Sequence, residues 1–234
     1  MKRLISFLSL TIVFIFGILF GRTFVKAKYY HDNQNNVFVH KNTEEKIVAL
    51  TFDDGPHKLK TEKILAVLDK YGIKATFFVI GENAEKNPDV LKKVANSGHE
   101  IGNHTYDHKS IYKLSDSTLS DDVEKCSLVI ENIIGHRPRL FRPPEGFMND
   151  TIASAVGKEG YDVILWKVDT YDWKGKSAQE ISSNVLKTVK NGDIILMHDY
   201  IWRQSHTDEA LDIIIPKLIE NGYKFVTVSE LIEK

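Results

Sequence analysis

The stretch "KIVALTFDDGP", residues 46–56, decides how the rest of the chain is read. Ile47 to Phe52 is apolar and rich in β-branched residues, as a buried strand is, and Gly55-Pro56 ends it. Asp53 and Asp54 therefore stand at the C-terminal lip of a strand. Acids before Gly-Pro are ordinary turn and cap residues. They are also what a site built at strand ends would use, and the rest of the chain has to decide between the two.

Runs of the same kind recur at "ATFFVI" (75–80), "HEIGN" (99–103), "RLFR" (139–142), "DVILWKV" (162–168), "DIILMH" (193–198) and "KFVTV" (224–228). Between them lie amphipathic helical patterns such as "KTEKILAVLDKYG" (60–72), "NPDVLKKVANSG" (87–98), "DSTLSDDVEKCSLVIENIIG" (116–135) and "SAQEISSNVLKTVKNG" (177–192). Each closes on glycine, a common helix C-cap. Strand followed by helix, repeated about seven times, implies an α/β fold with a parallel sheet closed or nearly closed as a barrel. In such a barrel the chemistry sits at the C-terminal ends of the strands.

The 234 residues suffice for one substantial core. With 32 acidic against 31 basic side chains, overall charge gives no case for a nucleic-acid partner. Cys126 is the only cysteine, which excludes an intramolecular disulfide and a multi-cysteine zinc site. The N-terminus differs in kind: after Lys2 and Arg3, an uncharged and largely apolar run extends from Leu4 to Gly21, about the lower limit for spanning a bilayer. Residues 1–27 read as a signal-anchor helix, or as a signal peptide cleaved near Val25 to Ala27. Residues 28–45 read as a polar linker and 46–234 as the folded domain. The domain is then extracytoplasmic, held at the membrane, or secreted if the segment is removed. No protein partner is implied.

Polar residues gather where the barrel reading places a site. "HEIGNHTYDHKS" carries His104 and His108 four positions apart, a spacing that on one helical turn, or a loop entering one, sets both imidazoles on one side. With a strand-end aspartate they would supply two nitrogens and one carboxylate, a hydrolytic rather than a structural metal set. "FRPPEG" places Arg142 before two prolines, where it can orient a carboxylate. "VDTYDW" offers Asp169 and Trp173, and "ILMHD" offers His198; an acid and a histidine at adjacent strand ends can pair.

Taken together and in order, "TFDDGP", "HTYDH", "RPPEG", "DTYDW" and "ILMHD" resemble the polysaccharide deacetylase family with the NodB-homology domain, carbohydrate esterase family four. The resemblance covers about Lys46 to the C-terminus. It implies a distorted (β/α) barrel that removes N-acetyl, or sometimes O-acetyl, groups from polysaccharides such as peptidoglycan, chitin or xylan. It further implies that Asp54, His104 and His108 hold a divalent metal, that Asp53 is the general base and that Arg142 orients it. His198 would protonate the departing amine, with Asp169 tuning it. The backbone amide of Glu145, after Pro144, would donate to the oxyanion, and Trp173 and Leu196, with Pro144, would line the acetyl pocket. Two imidazoles and a carboxylate favour Zn2+, with Co2+, Ni2+ or Mn2+ as alternatives. The family position of Glu145 is usually aromatic, so a carboxylate here is expected to project into the groove and alter which glycans bind. The expected activity is deacetylation of a cell-wall N-acetylhexosamine polysaccharide. The alternatives are an O-acetyl xylan or exopolysaccharide esterase and a catalytically idle glycan-binding domain.

Overall fold

The computed structural model describes residues 36–109, 111, 114–201 and 204–233. The expected membrane helix lies outside the described residues, and among those described no helix is long and apolar enough to cross a membrane. The strands are β1 (Val37–Phe38), β2 (Ile47–Asp53), β3 (Thr76–Val79), β4 (Glu100–Asn103), β5 (Leu140–Phe141), β6 (Asp162–Ile164), β7 (Val168–Asp169), β8 (Ile194–His198) and β9 (Lys224–Phe225). The helices are α1 (Lys60–Tyr71), α2 (Gly81–Lys86), α3 (Pro88–Asn96), α4 (Asp116–Ile134), α5 (Asp150–Lys158), α6 (Ala178–Thr188), α7 (Thr207–Glu220) and α8 (Val228–Glu233).

The strands form one curled parallel sheet in the order β1-β6-β5-β4-β3-β2-β8-β7, with β9 on the start of β2. Among the described residues β1 and β7 are not paired to each other, so the barrel stays open there. All seven residues of β2 are buried, as befits a strand covered on both faces. Its alternation sets the site. Val48, Leu50 and Phe52 pack into the larger apolar cluster, with side chains of α1, α6 and α7. Ile47 and Ala49 point the other way, into a smaller cluster with Phe78, Leu140, Ile164 and Ile194. Period-two geometry then carries Thr51 and Asp53 to that same inner face, and by the same count β8 brings Leu196 and His198 there after Ile194.

Two strands depart from the sequence reading. The run "DVILWKV" is not one strand. Its first half pairs with β5 and β1, and the chain then crosses so that β7 pairs with β8. The second departure is β1, which lies within the stretch expected to be linker. Val37 is buried, and Val163 and Leu165 donate to the carbonyls of Asn36 and Phe38 at 2.7 and 2.8 Å. The Lys41 amide adds a bond to Gly192 at 2.8 Å. A two-residue edge strand is too short to show periodicity, which is why an Asn-rich sequence concealed it. A chain beginning at Lys46 is therefore expected to be less stable than one beginning at Asn36 by about 2 kcal/mol, the order of one buried valine. Denaturant unfolding of both chains checks this, and equal midpoints would show that β1 contributes nothing.

Candidate active site and metal centre

Asp53 ends β2 on the inner face, 3% exposed, and Asp54 follows with a left-handed backbone, φ 76°. Successive residues of a strand point to opposite faces, and the backbone turn at Asp54 instead brings both carboxylates to one lip. Asp53 is held by Arg142, whose Nη1 donates to Oδ1 at 2.7 Å. Arg142 is completely buried. It also donates to Thr51 Oγ1 (2.8 Å), Ile164 O (3.1 Å) and Leu165 O (3.2 Å), and its guanidinium lies 4.0 Å from the Phe78 ring centroid. A planar cation with its donors so distributed fixes the direction of the carboxylate it meets. Burial lowers the Arg142 pKa, and the Asp53 charge opposes that shift.

His104 and His108 meet, though not on a helical turn. The segment after β4 is a loop in which Thr105 (φ 68°) and His108 (φ 55°) are both left-handed, and this brings the two ring centroids to 5.0 Å. His104 Nε2 lies 3.5 Å and His108 Nε2 3.4 Å from Asp54 Oδ1. The three ligand atoms all lie within 4.8 Å of one another. His104 Nδ1 lies 2.7 Å from the Arg142 carbonyl, which fixes Nδ1 as the protonated nitrogen and leaves Nε2 for a ligand.

The donor set fits a divalent cation on a further observation: Asp54 Oδ1 is buried and has no hydrogen-bond partner. Burial would raise the Asp54 pKa, yet contact with His104 and the charges of His104, His198 and His108 hold it below the ordinary range. For His104, burial is outweighed by Asp53 and Asp54 and the pKa rises, whereas His108 is lowered by burial and by His104. The neighbouring carboxylates thus favour positive charge at this point.

On the opposite side of Asp53, His198 ends β8. The acid that meets it is Asp172, not Asp169: Asp172 Oδ1 lies 2.8 Å from His198 Nδ1, and Oδ2 accepts the His198 backbone N–H at 2.8 Å. Asp172 is 1% exposed and also accepts from Thr207 Oγ1 at 2.9 Å. Burial would lower the His198 pKa. The charge and hydrogen bond of Asp172, with Asp54 and Asp53 behind, instead push it up to about 10. Asp169 has another task, accepting from the Tyr171 backbone (2.9 Å) and from Trp173 Nε1 (3.3 Å) and so pinning the loop that carries the indole.

Trp173 stands 43% exposed at the rim, and Leu196 is buried in register with both Thr51 and Asp169. Pro144 is buried in a single 3-10 turn, Pro144–Gly146, inside which Glu145 is left-handed (φ 58°) and exposed. The Glu145 charge reaches His108, so this turn lies on the metal-ligand side of the site. Asp172 and Asp199 carry weaker signals in the sequence than the other acids of the site. For Asp172 the signal was the second acid of "DTYDW". For Asp199 it was the acid after His198, which is buried, accepts from Thr61 Oγ1 at 2.5 Å and is raised by burial to about 7.

Over residues 40–164 the chain matches the polysaccharide deacetylase family. It is 42% identical over 190 residues, 80% of this chain and 89% of the relative, to a peptidoglycan-N-acetylglucosamine deacetylase of Bacillus cereus. Among solved structures, Bc1960, a peptidoglycan N-acetylglucosamine deacetylase, superposes with a TM-score of 0.81 at 38% identity, covering 84% of this chain and 92% of that one. BA3943 of Bacillus anthracis, a pseudoenzyme of the CE4 family, superposes with a TM-score of 0.80 at 32% identity, covering 86% of this chain and 70% of that one.

Proposed function

Because the chain belongs to the polysaccharide deacetylase family and is a polysaccharide N-deacetylase, we propose that its substrate is peptidoglycan and that it releases acetate from N-acetylglucosamine units with the help of a divalent metal, zinc by preference. The observation that carries the chemistry is the division of one strand end between two carboxylates. Asp54 Oδ1 lies 3.5 and 3.4 Å from two imidazoles, while Asp53 pairs with Arg142 at 2.7 Å and has a single imidazole, that of His104, at 3.8 Å. The substrate rests on the two peptidoglycan deacetylases above.

Asp54, His104 and His108 would hold the metal, which supplies Lewis acidity when bound. Asp53, aimed by Arg142, takes a proton from the attacking water. His198, kept protonated at neutral pH by Asp172, gives a proton to the departing amine, which leaves poorly without one. The Glu145 backbone N–H is the donor offered to the oxyanion, and Trp173 and Leu196 bound the space for the acetyl methyl. Glu145 itself bears on which glycans are accepted, because it sets a carboxylate at the lip. The idle reading keeps the groove without the chemistry. Against it stand the Asp53–Arg142 pair, the Asp-His-His set and the His198–Asp172 pair, all present in this chain. The same proposal places the domain outside the cell membrane, where peptidoglycan lies, with the run Leu4 to Gly21 as its anchor.

The test is acetate release from peptidoglycan, N-acetyl chitooligosaccharides and acetyl xylan, before and after chelation and with Zn2+, Co2+, Ni2+ or Mn2+ restored. Peptidoglycan is expected to give the highest kcat/KM, and chelation to remove about 99% of the activity, because Asp54, His104 and His108 are the one candidate metal group among the described residues. Release from acetyl xylan alone would overturn the substrate, and rates unchanged by chelation would overturn the metal.

A further inference from the structure

The turn that carries Asp54 is gripped from two sides by residues outside the Asp54, His104 and His108 set. On one side, three consecutive carbonyls are each satisfied from α2 and the residues at its ends. Asn83 Nδ2 donates to Asp54 O at 2.7 Å, the Ile80 amide to Gly55 O at 3.0 Å, and Asn87 Nδ2 to Pro56 O at 3.1 Å. On the other side lies Asp199, 2% exposed, whose own amide donates to Asp53 O at 3.2 Å. Its carboxylate fills the space beside Gly55: a Cβ at position 55 would fall 2.0 and 2.3 Å from the two oxygens. The same carboxylate accepts from Thr61 Oγ1 at 2.5 Å, and Thr61 Oγ1 accepts the His57 amide at 2.8 Å, closing the far end of the turn.

A non-glycine residue in the left-handed region persists only where its surroundings over-determine the backbone. Asp54 is such a residue, and its φ decides whether its Oδ1 faces the imidazoles. We propose that Asn83, Asn87 and Asp199 are positioning residues that clamp the 53–57 turn and thereby set the affinity and geometry of the metal centre. Gly55 is required because the Asp199 carboxylate occupies the place of its side chain. The proposal rests on the metal reading given above and extends it to residues that bind no metal themselves.

Co2+ titration of the full chain, followed by calorimetry and by the visible absorption of the bound ion, tests it without any turnover. Asn83→Ala and Asp199→Ala are each expected to weaken Co2+ binding by about tenfold or more and to shift the cobalt bands, as outer-shell changes do. Asp199→Asn, which keeps the volume against Gly55 and an oxygen for Thr61, is expected to stay within about threefold of wild type by the same reasoning. Wild-type affinity and spectrum in both alanine variants, with wild-type circular dichroism, would overturn the proposal. If Asp199→Ala does not fold, Asn83→Ala and Asn87→Ala decide it alone. A wild-type chain that binds no Co2+ would overturn the metal centre itself, whereas tight wild-type binding with indifferent variants would overturn only the clamp.

Discussion

Asp53→Asn is expected to lower kcat for acetate release about a thousandfold, within the usual contribution of a positioned base, while Co2+ affinity stays within a few-fold of wild type. The amide matches the carboxylate in shape and can still accept from Arg142, but it cannot take up a proton at neutral pH. The same substitution removes the only anion in direct contact with a fully buried guanidinium among the described residues. The other groups around Arg142, namely two backbone carbonyls, the Thr51 hydroxyl and the Phe78 and Trp166 rings, carry no charge. Breaking a buried pair in this way costs about 3 to 5 kcal/mol, so the denaturant midpoint should fall even as the metal remains. His104→Ala should behave differently, losing metal and activity together. Metal loss of equal size in both variants would refute the division of labour between Asp53 and Asp54, and turnover within tenfold of wild type would remove Asp53 as the base.

The second large effect concerns the acid. His198 is raised to about 10 chiefly by Asp172 acting against burial, so its protonated form, the one that can donate, prevails below that pH and is lost as pH rises through it. Asp172→Asn removes the charge that raises the pKa, and the alkaline limb of the pH–rate profile should move toward the ordinary histidine range. With a pKa near 6.5, only about 1% of His198 would be protonated at pH 8.5, so amide hydrolysis there should fall about a hundredfold relative to wild type and recover as pH is lowered. Activated aryl esters, whose leaving groups need no proton, should lose far less, and His198→Ala should show the same selectivity at every pH. An alkaline limb that does not move in Asp172→Asn, or equal damage to esters and amides, would argue against the acid role.

The candidate site was legible in the chain itself to the extent that hydrophobic runs locate the ends of parallel strands and several polar residues coincide at those ends. Asp53, Asp54, His104, His108, Arg142 and His198 all follow from that rule together with the family resemblance. What the sequence could not decide were the contacts that depend on where the backbone turns. Asp169 and Asp172 are three residues apart in one motif. Only the left-handed Tyr171 (φ 57°) and the 3-10 turn after it determine that the second acid reaches His198 while the first holds the Trp173 indole. The spacing of His104 and His108 suits a helical turn or a loop entering one, and only the backbone decides for the loop, where two left-handed residues bring the rings together. Val37–Phe38 joins the sheet because the exposed edge of β6 offers it unpaired backbone groups, a tertiary fact with no local signature. Likewise the clamp on Asp54 draws Asn83 and Asn87 from α2 and its C-terminal cap and Asp199 from the end of β8, more than a hundred residues away. Periodicity records which way a side chain faces within one element, whereas the register of such distant groups is set only when the whole sheet curls and its helices pack.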